Sequence, residues 1–113
     1  MIHPAAIQSL ALSTHDRQEL QRILQQHLPD YAVWAFGSRV SGGHKPYSDL
    51  DLAIVADQPL SLEQLATLQD AFDESDLTIR VDLVDWAAAS ENFRRIIVQQ
   101  YLVVQERQAA LLA

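Results

Sequence analysis

The run "LDLAIV" (Leu50–Val55) constrains this chain more than any other stretch. It reads as a buried strand, yet Asp49 and Asp51 sit at its leading end. A carboxylate taken out of water without a partner is costly. The leading end must therefore reach water or meet something positive, while the rest of the strand enters a core. That demands a short sheet with one functional rim.

The other segments supply the layers. Ser13 or Thr14 can cap a helix whose buried face is Leu20, Ile23, Leu24, His27 and Leu28, before Pro29 stops it. Tyr31–Phe36 reads as a strand. "GSRVSGGHKPYS" is too rich in Gly, Ser and Pro for a long element, although a helical turn can begin at Ser38. Ser61 with Gln64 forms a capping-box pattern for a helix striped by Leu62, Leu65, Leu68 and Phe72. Leu77–Trp86 alternates as a third strand. Ser90 can cap a last helix with Phe93, Ile96, Ile97, Tyr101, Leu102 and Val104 facing inward, and "ERQAALLA" extends it or frays. Residues before 13 show no pattern and are expected to dock loosely. The expected fold is α/β (α+β), a small sheet flanked by helices; the second and third strands, joined through a helix, can run parallel or lie in a mixed sheet, and spacing alone leaves that open. The fold forms a single domain over residues 1–113, with a core at about 14–105.

Composition narrows the function. The chain has 113 residues, no cysteine and a formal net charge of −7. Thiolate metal sites and thiol nucleophiles are excluded. An acidic chain lacks the basic surface of a nucleic-acid binder, so no direct nucleic-acid binding is expected. No secretory leader or membrane-spanning run is legible, which makes a soluble cytoplasmic protein the expected default.

The chemistry gathers around the acids. Residues i and i+2 of a strand share a face, so Asp49 and Asp51 project together, roughly 6–7 Å apart at the backbone. Asp82 interrupts the third strand in the same manner, and three carboxylates converge if the two strands are neighbours. Two such charges 4 Å apart repel by roughly 4 kcal/mol at an effective dielectric of ~20. A hard divalent cation removes the conflict, and Mg²⁺ commonly takes carboxylates together with substrate phosphates. Gly37 allows close backbone approach, and Ser38 offers a hydroxyl and an amide to phosphate oxygens. Metal plus phosphate cradle points to phosphoryl-type transfer.

"GSRVSGGHKPYSDLDLAIV" (Gly37–Val55) resembles the signature of the DNA polymerase beta-like nucleotidyltransferase superfamily: Gly-Ser, a spacer, then Asp-x-Asp. More narrowly, "GSRVSG" followed by "SDLDL" is similar to the minimal nucleotidyltransferases (MNT), the antitoxin halves of HEPN–MNT toxin–antitoxin pairs. The resemblance implies that Gly37 and Ser38 form the phosphate-binding turn and that Asp49, Asp51 and Asp82 bind metal, with Asp82 also drawing off the acceptor proton. Arg39 and Gly42 fit the usual "GSRARG" form, and Arg39 is a candidate for phosphate or partner contact. Val40 and Ser41 depart from that form. Implied with them are ATP as substrate, two Mg²⁺ ions in turnover, and a HEPN-type RNase toxin as partner, silenced by AMP on a tyrosine.

Blander readings compete at single positions. Asp-x-Asp alone is more often a solvated strand end, and Gly-Ser alone an ordinary turn; their combination at this spacing is what is specific. Asp85 falls on the opposite strand face from Asp82 and reads as a turn residue. Ser48 supports the turn before Asp49. Lys45, His44, His3, His15 and His27 read as solvated or ordinary helix residues, and Trp34 and Trp86 as packing anchors. Two rival functions stay open: an antitoxin acting by occlusion alone, and a transferase for small molecules such as aminoglycosides, which the short length disfavours.

Overall fold

Serines open the three longer helices. In the computed structural model, which describes residues 10–43 and 45–107, the elements run α1 (Thr14–His27), β1 (Ala32–Phe36), α2 (Ser38–Ser41), β2 (Leu50–Val55), α3 (Leu62–Asp73), β3 (Val81–Asp85), a 3₁₀ turn (Trp86–Ala88), α4 (Glu91–Gln99) and β4 (Tyr101–Gln105). Ser13 accepts from the Asp16 amide at 3.1 Å and Ser90 from the Phe93 amide at 3.1 Å. Ser61 and Gln64 exchange two hydrogen bonds, both at 3.0 Å. Such a cap contributes about 1 kcal/mol and fixes where each helix begins.

The four strands form one mixed sheet in the order β3–β2–β1–β4. β1 is antiparallel to both β2 and β4, while β2 and β3 run parallel. Leu50, Leu52 and Ile54, with Val81 opposite Leu50, belong to the main core with Leu20, Ile23 and Leu24 of α1 and Leu68 and Phe72 of α3. Phe36 and Ala53 pack with Ile97 of α4, bordered by Trp34, Val84, Trp86 and Phe93. Helices thus cover both faces, as expected for the fold class.

Three expectations are corrected. The last helix does not reach residue 104: Gln100 turns extended (φ −158°, ψ 109°) and Tyr101–Gln105 becomes β4 against β1. Ile96, read as inward, is 58% exposed, and Leu62 of the α3 stripe is 86% exposed. The third strand begins at Val81 because β2 begins opposite it at Leu50. Upstream, the Thr78 amide is taken by Asp16 instead of a strand, at 3.0 Å. The chain before α1 is anchored at its described end, where Leu10 is 2% exposed. His3, His44 and the Ala109–Ala113 tail lie outside the described residues. Among the described residues no helix is long and apolar enough to cross a membrane.

Candidate active site

Register assembles the rim that the sequence foreshadows. Asp51 pairs with Asp82 across the parallel β2–β3 ladder and with Phe36 across the antiparallel β1–β2 ladder, while Phe36 pairs with Tyr101 of β4. Paired residues in neighbouring strands share a face. Asp82, Asp51, Phe36 and Tyr101 therefore form one row on the face that α4 covers. Asp49 lies one residue before β2. Asp85 pairs with Ile54 on the other face, where its Oδ2 accepts from the Leu60 amide at 2.9 Å.

The acids are close enough to feel one another. Burial, then the charges of Asp82 and Asp49, push the Asp51 carboxyl above its usual range. Asp82 is likewise raised, by burial first and then by its hydrogen-bonding contact with Asp49, against the pull of Arg80. Arg80 reaches Asp82 at 3.3 Å, but both side chains are well exposed, so that pair is weak. The carboxylates thus stand together with their repulsion largely unrelieved. Among the described residues no three acidic or histidine side chains already close around one point. A cation at this rim would take further ligands from whatever binds beside it. The hard oxygen donors, the charge conflict and the space described next all fit Mg²⁺.

Gly37 keeps that space open. Its φ of +82° and ψ of −159° lie where side chains are scarcely tolerated. A Cβ built there would collide with Oδ2 of Asp51. Gly37 thus serves two ends at once, starting α2 and leaving room beside the acid. Its carbonyl accepts from the Val40 and Ser41 amides, both at 3.0 Å. Ser38 opens α2 directly, where the first amides of a helix have no carbonyl behind them.

Arg39 is placed differently from expectation. It is 7% exposed, and its guanidinium donates to four carbonyls: Ser48 (2.9 Å), Ala11 (2.7 Å), Pro46 (2.8 Å) and Lys45 (3.4 Å). With its donors so engaged it holds the spacer that leads into Asp49, in place of the phosphate or partner contact anticipated for it. Ser48 assists, its Oγ accepting from the Lys45 amide at 2.7 Å. Trp34 and Trp86 pack edge to face at 5.3 Å, and Tyr101 stacks on Trp34 at 4.4 Å.

Sequence reading also missed two supports. Asp16, 3% exposed, accepts from the Thr78 hydroxyl at 2.5 Å as well as from its amide, tying α1 to the approach of β3. Arg94 donates to the Trp86 and Ala87 carbonyls, both at 2.8 Å, and so fixes the 3₁₀ turn after β3 to α4. Neither partner is recognisable from spacing, since the first pair is distant in sequence and the second uses backbone.

The profile of the family "Polymerase beta, Nucleotidyltransferase" matches residues 18–110. The chain is 52% identical over 99 residues to the probable protein adenylyltransferase MntA of Haemophilus influenzae, spanning 88% of this chain and 87% of that one. A solved toxin–antitoxin structure with AMP-PNP superposes with a TM-score of 0.60 at 26% identity, covering 86% of this chain and 79% of the other. A chain in the solved complex of tri-AMPylated Shewanella oneidensis HEPN toxin with MNT antitoxin shares the fold, with a TM-score of 0.56 at 24% identity over 89% of this chain and 79% of that one.

Proposed function

The chain belongs to the polymerase beta nucleotidyltransferase family, and from that premise we propose that it is an antitoxin that transfers AMP from ATP to a tyrosine hydroxyl of a cognate HEPN-type RNase toxin, with Mg²⁺. One observation carries the reading: Asp82 stands in register with Asp51, and Gly37 leaves open the space against Asp51. The likeness to the Haemophilus influenzae adenylyltransferase and to a toxin–antitoxin with AMP-PNP supports the protein acceptor and the adenine nucleotide.

Each residue then has a role. Gly37 and Ser38 receive the β- and γ-phosphates. Asp49, Asp51 and Asp82 would hold Mg²⁺, which when bound neutralises phosphate charge and orients the α-phosphate. The acceptor oxygen attacks the α-phosphorus in line, and the bond from that phosphorus to the β-bridging oxygen breaks. Pyrophosphate leaves, and the acceptor proton passes to the Asp82 carboxylate. Arg39 acts one step back, by fixing residues 45–48 ahead of Asp49.

The test incubates the protein with labelled ATP, Mg²⁺ and the toxin encoded beside it. Label should move to the toxin and vanish with Asp49→Asn/Asp51→Asn. Protection that survives in this double variant, with no labelled toxin from the wild type, would replace catalysis with occlusion.

A further inference from the structure

Tyr47 is set apart from the other aromatic residues. Its side chain is 78% exposed, while no other aromatic among the described residues exceeds 37%. Tyr101 stacks on Trp34, and Tyr31 packs against the main core. Tyr47 belongs to neither core cluster. It precedes Asp49 by two residues, so the two Cα atoms stand within about 7 Å of each other. The chain then enters the sheet beside β3, where the Leu50 amide donates to the Arg80 carbonyl at 2.9 Å, two residues before Asp82.

The backbone that carries this side chain is held firmly. The Ser48 amide donates to the Lys45 carbonyl at 2.9 Å, closing a four-residue turn with Pro46 and Tyr47 at its two corners. The Ser48 hydroxyl accepts from the Lys45 amide at 2.7 Å. Arg39 grips the carbonyls of Pro46 and Ser48, on either side of Tyr47, at 2.8 and 2.9 Å. Turn corners ordinarily take Gly, Pro, Asn, Asp or Ser. Here one corner carries a phenol that packs on no core, at the mouth of a site that acts on phenols. Functional side chains are commonly presented in this way, on a loop that a rigid scaffold positions.

We propose that Tyr47 is a second acceptor, and that in the absence of toxin the protein adenylylates itself there. The Tyr47 phenol oxygen attacks the α-phosphorus of ATP, and the bond from that phosphorus to the β-bridging oxygen breaks. Pyrophosphate leaves, the phenol proton passes to the Asp82 carboxylate, and a tyrosyl-AMP phosphodiester remains on the chain. A nucleophile tethered beside the site meets the α-phosphate at high effective concentration. The proposal rests on the nucleotidyltransferase reading and adds an acceptor of the same chemical class to it.

The test incubates purified full-length protein with Mg²⁺ and labelled ATP, with and without the toxin encoded beside it, and reads both chains by mass spectrometry. Without toxin, wild type should gain one AMP, which fragmentation places on Tyr47. Labelling per molecule should keep its rate on dilution, as a tethered acceptor requires. Tyr47→Phe, which preserves the ring and the turn, should lose self-labelling and still label toxin. Asp49→Asn/Asp51→Asn should lose both. If wild type labels toxin but stays unmodified, or carries its AMP at another residue, the assignment is wrong and the transferase reading stands. If wild type stays unmodified and Tyr47→Phe slows transfer to toxin, Tyr47 serves binding, and the assignment is equally overturned. A rate that falls in proportion to dilution would overturn the tethered geometry. If neither chain is labelled, both readings fall together.

Discussion

Gly37→Ala separates backbone strain from damage to the acid beside it, because Gly42 provides an internal control. Both glycines have positive φ, +82° and +95°, but a Cβ at Gly42 meets nothing within 4 Å, whereas one at Gly37 overlaps the Asp51 carboxylate. Gly42→Ala should cost about 1–2 kcal/mol, the usual penalty of the left-handed region. Gly37→Ala should cost about 1–3 kcal/mol for its rarer backbone conformation. At roughly 4–8 °C per kcal/mol for a domain near this size, both variants should melt measurably lower yet fold at 25 °C. Their activities should diverge. A carboxylate displaced by ~1 Å can cost on the order of 100-fold in rate, so Gly37→Ala should transfer AMP about 100-fold more slowly and Gly42→Ala within a few fold of wild type. The assay is label transfer from ATP to toxin at a temperature where melts show both variants fully folded. Equal transfer rates for the two would refute the argument that Gly37 exists to make room at Asp51.

Arg39→Ala should destabilise by about 2–4 kcal/mol in urea melts, since it strips a charged donor from several carbonyls at once, and Arg39→Lys should recover less than half, having one nitrogen where the guanidinium uses three. Asp51→Asn should abolish transfer yet raise the melting temperature at pH 7 without metal. The folded state raises this carboxyl, so its stability contribution is unfavourable at neutral pH and is relieved as pH falls toward the ordinary carboxylate range; the variant should lose part of that pH dependence, read from melts between pH 7 and 4.5. Glu19 behaves oppositely. The Arg22 guanidinium and the Asp76 amide hold it down to about 2 from 4.5, so Glu19→Gln should be less stable than wild type above pH 4.5, with the gap closing as pH falls toward 2.

Features written locally were legible. Ser13, Ser61 and Ser90 cap helices because each cap needs only residues within three positions. Asp51 and Asp82 stand side by side because strand alternation aims them and parallel pairing aligns them, with Asp49 one residue ahead of β2. What was hidden depended on distant partners. "YLVV" after α4 fits a helical spacing as well as a strand, and neither Gly nor Pro marks the break at Gln100; only the free edge of β1 decides it. The alternation from Leu77 starts before β2 comes alongside, and Asp16 took the amide at Thr78. Arg39 belonged to a recognisable motif, but its carbonyl ligands carry no mark in a sequence, since every residue has one.

The position of β1 has a kinetic consequence. On one side it joins β2, made soon after it; on the other it joins β4, the last of the described strands to be made. A nascent chain stopped short of Tyr101 leaves Trp34 and a bare row of amides and carbonyls at the margin of its sheet, open to wrong pairing. Closure must wait until Gln105 has cleared the ribosome, and the aromatic stack of Trp34 on Tyr101 forms only then.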